Sequence, residues 1–319
     1  MKKKYLTFVI FLISNLLHFK AQDSLIATLT GHLAGINSID VSPDNKWLIS
    51  VSKDESLRLW NLQNNSNAKT LSNFGYSLKR VKFNSKGDRF LVASFCSFSE
   101  FDFTKFKRIR LKKKAHTTFI ENCIYSPKND FIATSSWRDK TLIIWKASSL
   151  KKQSETNEVI WVDNAIFNKT SETLISGGHD AMIKIWDVPT GGLIKQLAGH
   201  NDWVYDICLS LDEKYIYSAS LDKTIKIWNI ASGKQIATLA GHVDGIVSID
   251  LSKDGNFLAS AGMDKEIIIW DINSQTAIKK FKAHELPITD VKFGNNSDTL
   301  YSCSMDKTIK IWRLNLPSK

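Results

Sequence analysis

Residues 199–242 read GHNDWVYDICLSLDEKYIYSASLDKTIKIWNIASGKQIATLAGH. Four short runs, 204–209, 215–220, 224–230 and 235–239, are rich in β-branched and aromatic residues, and turn-forming residues separate them. In the third run Ile225 and Ile227 alternate with Thr224, Lys226 and Trp228, a strand period rather than a helical one. The stretch opens and closes on Gly-His, which marks it as one complete unit.

The unit recurs. An Asp is followed six residues later by a Trp at Asp54 and Trp60, Asp139 and Trp145, Asp180 and Trp186, Asp222 and Trp228, Asp264 and Trp270, and Asp306 and Trp312. From Trp145 onward the tryptophans are 41, 42, 42 and 42 residues apart, and the 85 residues between Trp60 and Trp145 leave room for one further unit. Seven repeats of four strands predict an all-β fold, a seven-bladed β-propeller of four-stranded antiparallel blades. The units end near Trp60, Phe103, Trp145, Trp186, Trp228, Trp270 and Trp312, and residues 22–319 form the propeller.

The units resemble WD repeats, which carry Gly-His near one end and Trp-Asp near the other. Gly-His stands at 31–32, 199–200 and 241–242, Ala-His at 115–116 and 283–284, and Trp-Asp at 186–187 and 270–271. The resemblance implies a buried network in which the His, the Asp, a strand hydroxyl and the Trp indole N–H bond to one another. His32, His116, His200, His242 and His284 are then structural, in company with the Asp and Trp pairs above. Their separation from the repeat Asp, 22 residues in four units and 23 in the third, agrees with a shared place in each blade.

Two units depart from the pattern. Unit two has Phe103 where Trp is expected, Ser97 for the Asp and no Gly-His, and unit four has Glu158 near the Gly-His position. Apolar packing alone is expected to hold these two blades. The last unit ends without a fourth strand, and residues 25–32, LIATLTGH, match 235–242, QIATLAGH, so the N-terminal strand is expected to complete the last blade and close the ring.

Residues 1–21 stand apart. Lys2, Lys3 and Lys4 precede an apolar run over 5–19, with Ala21 as a cleavage position, the pattern of a secretory signal peptide. The run is shorter than the ~20 residues that span a bilayer, so no transmembrane span is expected after cleavage. The richness in Lys, Asn and Ile fits a low-GC bacterial genome, making a periplasmic or secreted protein the expectation. Cys96, Cys123, Cys208 and Cys303 lie in different units and form no disulfide or zinc pattern.

The net charge is +11, and +7 without the four lysines of residues 1–21. Lys105, Lys107, Arg108, Arg110, Lys112, Lys113 and Lys114 concentrate it around Phe106, Ile109 and Leu111. Such a segment guards an outer edge strand against pairing, or offers a patch to an acidic partner, glycan or membrane surface. Nucleic acid is not expected for an exported protein.

Family resemblance places partner binding on the loop face around the central channel. Two register positions point there. Three residues after the His position stand Gly35, Phe119, Trp161, Trp203, Gly245 and Pro287; just before the repeat Asp stand Lys53, Arg138, His179, Leu221, Met263 and Met305, with Trp137 beside Arg138. Phe119, Trp137, Arg138, Trp161, His179, Trp203, Leu221, Met263 and Met305 have the composition of an interface core, and packing between blades would use the same residues. No phosphate loop, nucleophile elbow or His-Glu-x-x-His occurs. A non-enzymatic protein- or peptide-binding scaffold without cofactor or metal is the expected function; a glycan- or small-ligand-binding propeller, or a propeller enzyme, is the alternative.

Overall fold

The computed structural model describes residues 24–157 and 161–317. The proposed signal segment and Glu158 lie outside the described residues. Strands β1 to β28, numbered in chain order, form seven four-stranded sheets, each antiparallel throughout. Blade one consists of β2 (Ile36–Val41), β3 (Trp47–Ser52), β4 (Leu57–Asn61) and β5 (Ser66–Leu71). Blades two to six repeat that order, and the innermost strands touch one another in cyclic sequence, β26 (Ile288–Phe293) lying against β2. No helix occurs among the described residues, hence none long and apolar enough to cross a membrane.

The ring closes as the matching termini require. β1 (Ser24–Leu29) pairs antiparallel with β28 (Ile309–Arg313), Ser24 opposite Arg313 and Leu29 opposite Ile309, and supplies the outermost strand of blade seven. A seven-bladed ring has no free end once this strand is in place.

The core lies between blades. Ile225 and Ile227 of blade five pack with Leu258, Ile268 and Trp270 of blade six, and Ile267 and Ile269 of blade six pack with Val291, Leu300 and Trp312 of blade seven. Each of these aliphatic side chains is buried, contributing roughly 1.5–3 kcal/mol.

Blade two corrects the sequence reading. Phe101 pairs with Phe90 as Trp60 pairs with Leu48, so Phe101 and not Phe103 takes the Trp position. Phe103 packs edge-on against Trp47 and Phe83. Ser97 is the counterpart of Ser56, because its carbonyl accepts the N–H of Ser94 as that of Ser56 accepts the N–H of Ser52; the shortened turn has no Asp. Nor is apolar packing alone at work. Glu100, buried at 1% exposure, stands in β8 (Phe98–Asp102) one residue before Phe101, where other blades carry Leu59, Ile144, Ile185, Ile227, Ile269 and Ile311. It accepts hydrogen bonds from Arg89 Nη1 at 3.3 Å, Tyr125 Oη at 2.7 Å and Arg110 Nε. Blade four likewise keeps polar ties. Trp186 donates to Ser176 at 2.9 Å, and Lys184 Nζ lies 2.6 Å from Asp180.

Candidate functional site: the loop face at the channel mouth

The face is held by the polar network within five blades. In blade five Trp228 Nε1–H donates to Ser218 Oγ at 2.8 Å, the Ser218 hydroxyl donates to His200 Nε2 at 2.7 Å, and His200 Nδ1–H donates to Asp222 at 2.7 Å. This tautomer follows from the carboxylate, which only accepts. Asp222 also accepts the Asn201 N–H and the Thr224 hydroxyl, so it ties the loop entering the blade to the turn between its middle strands. Blades six and seven repeat the relay through His242, Ser260 and Asp264, and through His284, Ser302 and Asp306. Blade one uses His32, Ser50 and Asp54, and blade three His116, Thr134 and Asp139.

Burial works to raise the Asp54 carboxyl, but bonds from Ser56, Leu33 N–H and His32 outweigh it and hold it at about 2. Burial lowers His32 and His116, favouring the neutral rings the relay requires.

Above this frame the two register positions meet. The N–H of Lys53, Trp137, His179, Leu221, Met263 and Met305 donates to the carbonyl of Gly35, Phe119, Trp161, Trp203, Gly245 and Pro287 respectively. In blade three the register residue is thus Trp137, and Arg138 is displaced by the extra residue in that loop, its guanidinium 5.3 Å from the Trp137 ring centroid. The side chains of Trp137, His179, Leu221 and Met305 lean toward the following blade. Met305 fills the space that a side chain at Gly35 would need, its Sδ 2.7 Å from an added Cβ. Trp137 meets Trp161 at 4.7 Å between centroids, and His179 stacks on Trp203 at 3.6 Å and 14°.

Trp137, Trp161, His179 and Trp203 therefore form a continuous arc across blades three, four and five, with Phe119 continuing it to Phe95 and Tyr76. Packing between blades and presentation on the face coexist. The tryptophans and Phe119 are half-buried, whereas the His179 side chain is only 5% exposed. Its Nε2 lies 2.8 Å from Asp163 Oδ2 without alignment of the ring N–H, and among the described residues neither ring nitrogen has a hydrogen-bond partner.

Inside the arc opens the channel mouth, a cavity of about 320 Å³. Sequence reasoning missed its lining. Asn37, Lys79, Glu121, Asp163, Tyr205, Val247 and Thr289 recur every 42 residues, a signal present in the chain but overlooked because it falls within strands. In six blades this residue sits at a β-bulge of the innermost strand, which turns it toward the channel. Lys79 pairs with Glu121 at 3.2 Å, and burial raises the carboxyls of Glu121 and Asp163 against the pull of Lys79 and His179. Met263, Pro287, Met305 and Val247 give the mouth an apolar wall, while Leu221 packs on Gly245 beside it.

The sequence-predicted basic patch divides. Lys107, Arg108, Lys113 and Lys114 are exposed on or beside β9 (Lys107–Lys112), the outermost strand of blade two, as is Lys105 in the turn before it. Arg110 turns inward to Glu100, and Lys112 lies over Trp145 at 4.7 Å. Burial raises the thiols of Cys123, Cys208 and Cys303, and all four cysteines are free.

Residues 23–61, 108–146, 149–187, 191–229, 233–271 and 275–313 match the WD40 family, described as WD domain, G-beta repeat. The chain belongs to this WD-repeat family. The gap between the first two matches is blade two, whose network is replaced. Among relatives, the nuclear distribution protein nudF of Aspergillus niger is 23% identical over 202 residues, 56% of this chain and 45% of its own length. Periodic tryptophan protein 2 of Arabidopsis thaliana is 26% identical over 55% of this chain and 20% of its own. The guanine nucleotide-binding protein subunit beta of Zea mays is 21% identical over 56% of this chain and 51% of its own. The WD-repeat chain thus aligns with about half or less of the length of these relatives.

Proposed function

We propose that this WD-repeat protein is a non-enzymatic scaffold that recognises a protein or peptide on the loop face around the channel mouth. The observation that carries the reading is the aromatic arc of Trp137, Trp161, His179 and Trp203 bordering a mouth with an apolar Met263, Pro287 and Met305 wall. Rigid aromatic and methionine side chains on a fixed frame are the makings of an interface centre. The relative named as a subunit, the beta chain of a guanine nucleotide-binding protein, supports a role in assembly. Stacking of His179 covers one face of Trp203 and disfavours the alternative of sugar binding there. The exposed Lys107 and Arg108 of β9 offer a second contact to an acidic partner. Residues 1–21 support export to the periplasm or beyond, checked by fractionation and N-terminal sequencing of the mature protein.

The test is affinity capture from envelope extract by the wild-type protein and by a Phe119→Ala, Trp161→Ala, Trp203→Ala variant of confirmed fold. A partner retained by the first and lost by the second supports the reading. Equal capture by both moves the site away from the face.

A further inference from the structure

The cleft between blades two and three, about 710 Å³, is large enough for a small molecule and lies apart from the channel mouth. Its centre is the buried Glu100 carboxylate, which accepts from Arg89, Arg110 and Tyr125. Two guanidinium groups thus share one carboxylate, so a positive charge is left over. Arg110 spends its remaining reach on the Ser148 carbonyl at 2.8 Å. Arg89 does not. Only its Nη1 touches Glu100, its side chain is 45% exposed, and its Nε and Nη2 donors make no bond to the described residues. An arginine has five N–H donors in a planar fork suited to an oxyanion. Lys86 and Lys146 line the same cleft with no ion pair to the described residues. Asp88, which accepts from Asn84 at 2.7 Å and lies in the field of Arg89, and Asp130 are the other carboxylates there, so the lining sets the four cations Lys86, Arg89, Arg110 and Lys146 against three carboxylates and keeps one net positive charge.

We infer that this cleft binds a small oxyanion, a phosphate- or carboxylate-bearing molecule, on the open fork of Arg89 with Lys146 and Lys86 beside it. The site exists because blade two gave up the aliphatic residue that seals the other blade junctions. Burying Glu100 there required two arginines, and the outer one keeps an unused edge. The inference is independent of the partner-binding face.

Isothermal titration and thermal shift with inorganic phosphate and with citrate, each against sodium chloride of matched ionic strength, test it on the mature chain. One saturable site is expected for at least one anion, and which anion binds tells phosphate from carboxylate preference. Arg89→Gln should abolish binding, and Lys146→Gln should weaken it about tenfold, the loss of one charge-assisted contact. Because Lys146 makes no contact with Glu100, that variant remains informative if Arg89→Gln does not fold. No response beyond the salt control overturns the proposal. So does unchanged affinity in Lys146→Gln, or binding that is instead lost in a Lys107→Gln, Arg108→Gln variant of the outer strand.

Discussion

Blade five and blade two solve the same problem by opposite means. Blade five ties its entering loop to its Trp through a relay of a serine hydroxyl and a histidine ring ending on one carboxylate, Asp222, at the blade's edge. Blade two has no relay and places its carboxylate, Glu100, in the junction with blade three, where three donors from two blades converge on it. The relay fixes a loop within a blade, while the ionic cluster clamps one blade to the next. The difference teaches that a degenerate repeat need not be a weak one, but its fastening has moved from the face to the junction.

The largest expected effect removes the frame on which both devices depend. Deleting residues 22–31 takes away β1 and opens blade seven, so the chain should lose cooperative unfolding by circular dichroism. A monomeric truncation with native-like melting would break the closure. Next, Glu100→Ala should cost roughly 3 kcal/mol by denaturant unfolding, since it strands two arginines and a tyrosine at a buried junction. The triple variant Glu100→Leu, Arg110→Met, Tyr125→Phe replaces the carboxylate together with its more buried donors, leaves the half-exposed Arg89 to solvent, and should stay within about 1 kcal/mol of wild type. A triple variant as unstable as Glu100→Ala would show that the cluster is more than a replaceable clamp.

Asp222→Ala should cost less, roughly 1–3 kcal/mol, the penalty for leaving His200 and the Asn201 N–H unpaired. An unchanged melting temperature would contradict the relay. Its pH dependence sharpens the contrast. Burial works to raise the Asp222 carboxyl, but bonds from His200, Thr224 and Asn201 hold it far below the carboxylate range. A carboxyl depressed in the fold stabilises above its unfolded value, near 4, and loses that contribution as pH falls through the interval to its folded value. The deficit of Asp222→Ala relative to wild type should therefore be constant from pH 8 to about 5 and close in more acid solution. A deficit undiminished at about pH 2 would assign the effect to packing.

The fold was legible because the same Asp-to-Trp spacing is written six times. The Asp54 to Asp306 series, the Trp spacing and the match of 25–32 to 235–242 each locate the same turn, strand or closure in the structure. Legibility failed where blades two and three depart from the others. Counting 42 residues from Trp60 leads to position 102, and a one-residue shortening of the turn in blade two moves the Trp position to Phe101, two residues before Phe103; a one-residue extension in blade three puts Trp137 in place of Arg138. The clamp was missed because Glu100 looks like an interruption of the apolar run FSEFD, and its partners Arg89 and Tyr125 are distant in sequence. The face was half visible. Its aromatics occupy loop positions that period alone identifies, whereas their stacking onto the following blade depends on how adjacent blades are rotated, which no single repeat encodes.

In the proposed function a frame of relays and one clamp presents a recognising face at the channel mouth, and hydrogen–deuterium exchange on the captured complex is its sharpest test. New protection is expected in the loops around residues 119, 137, 161, 179 and 203, with the outer strands little changed. Protection confined to the outer strands, with those five loops exchanging as in the free protein, would contradict it.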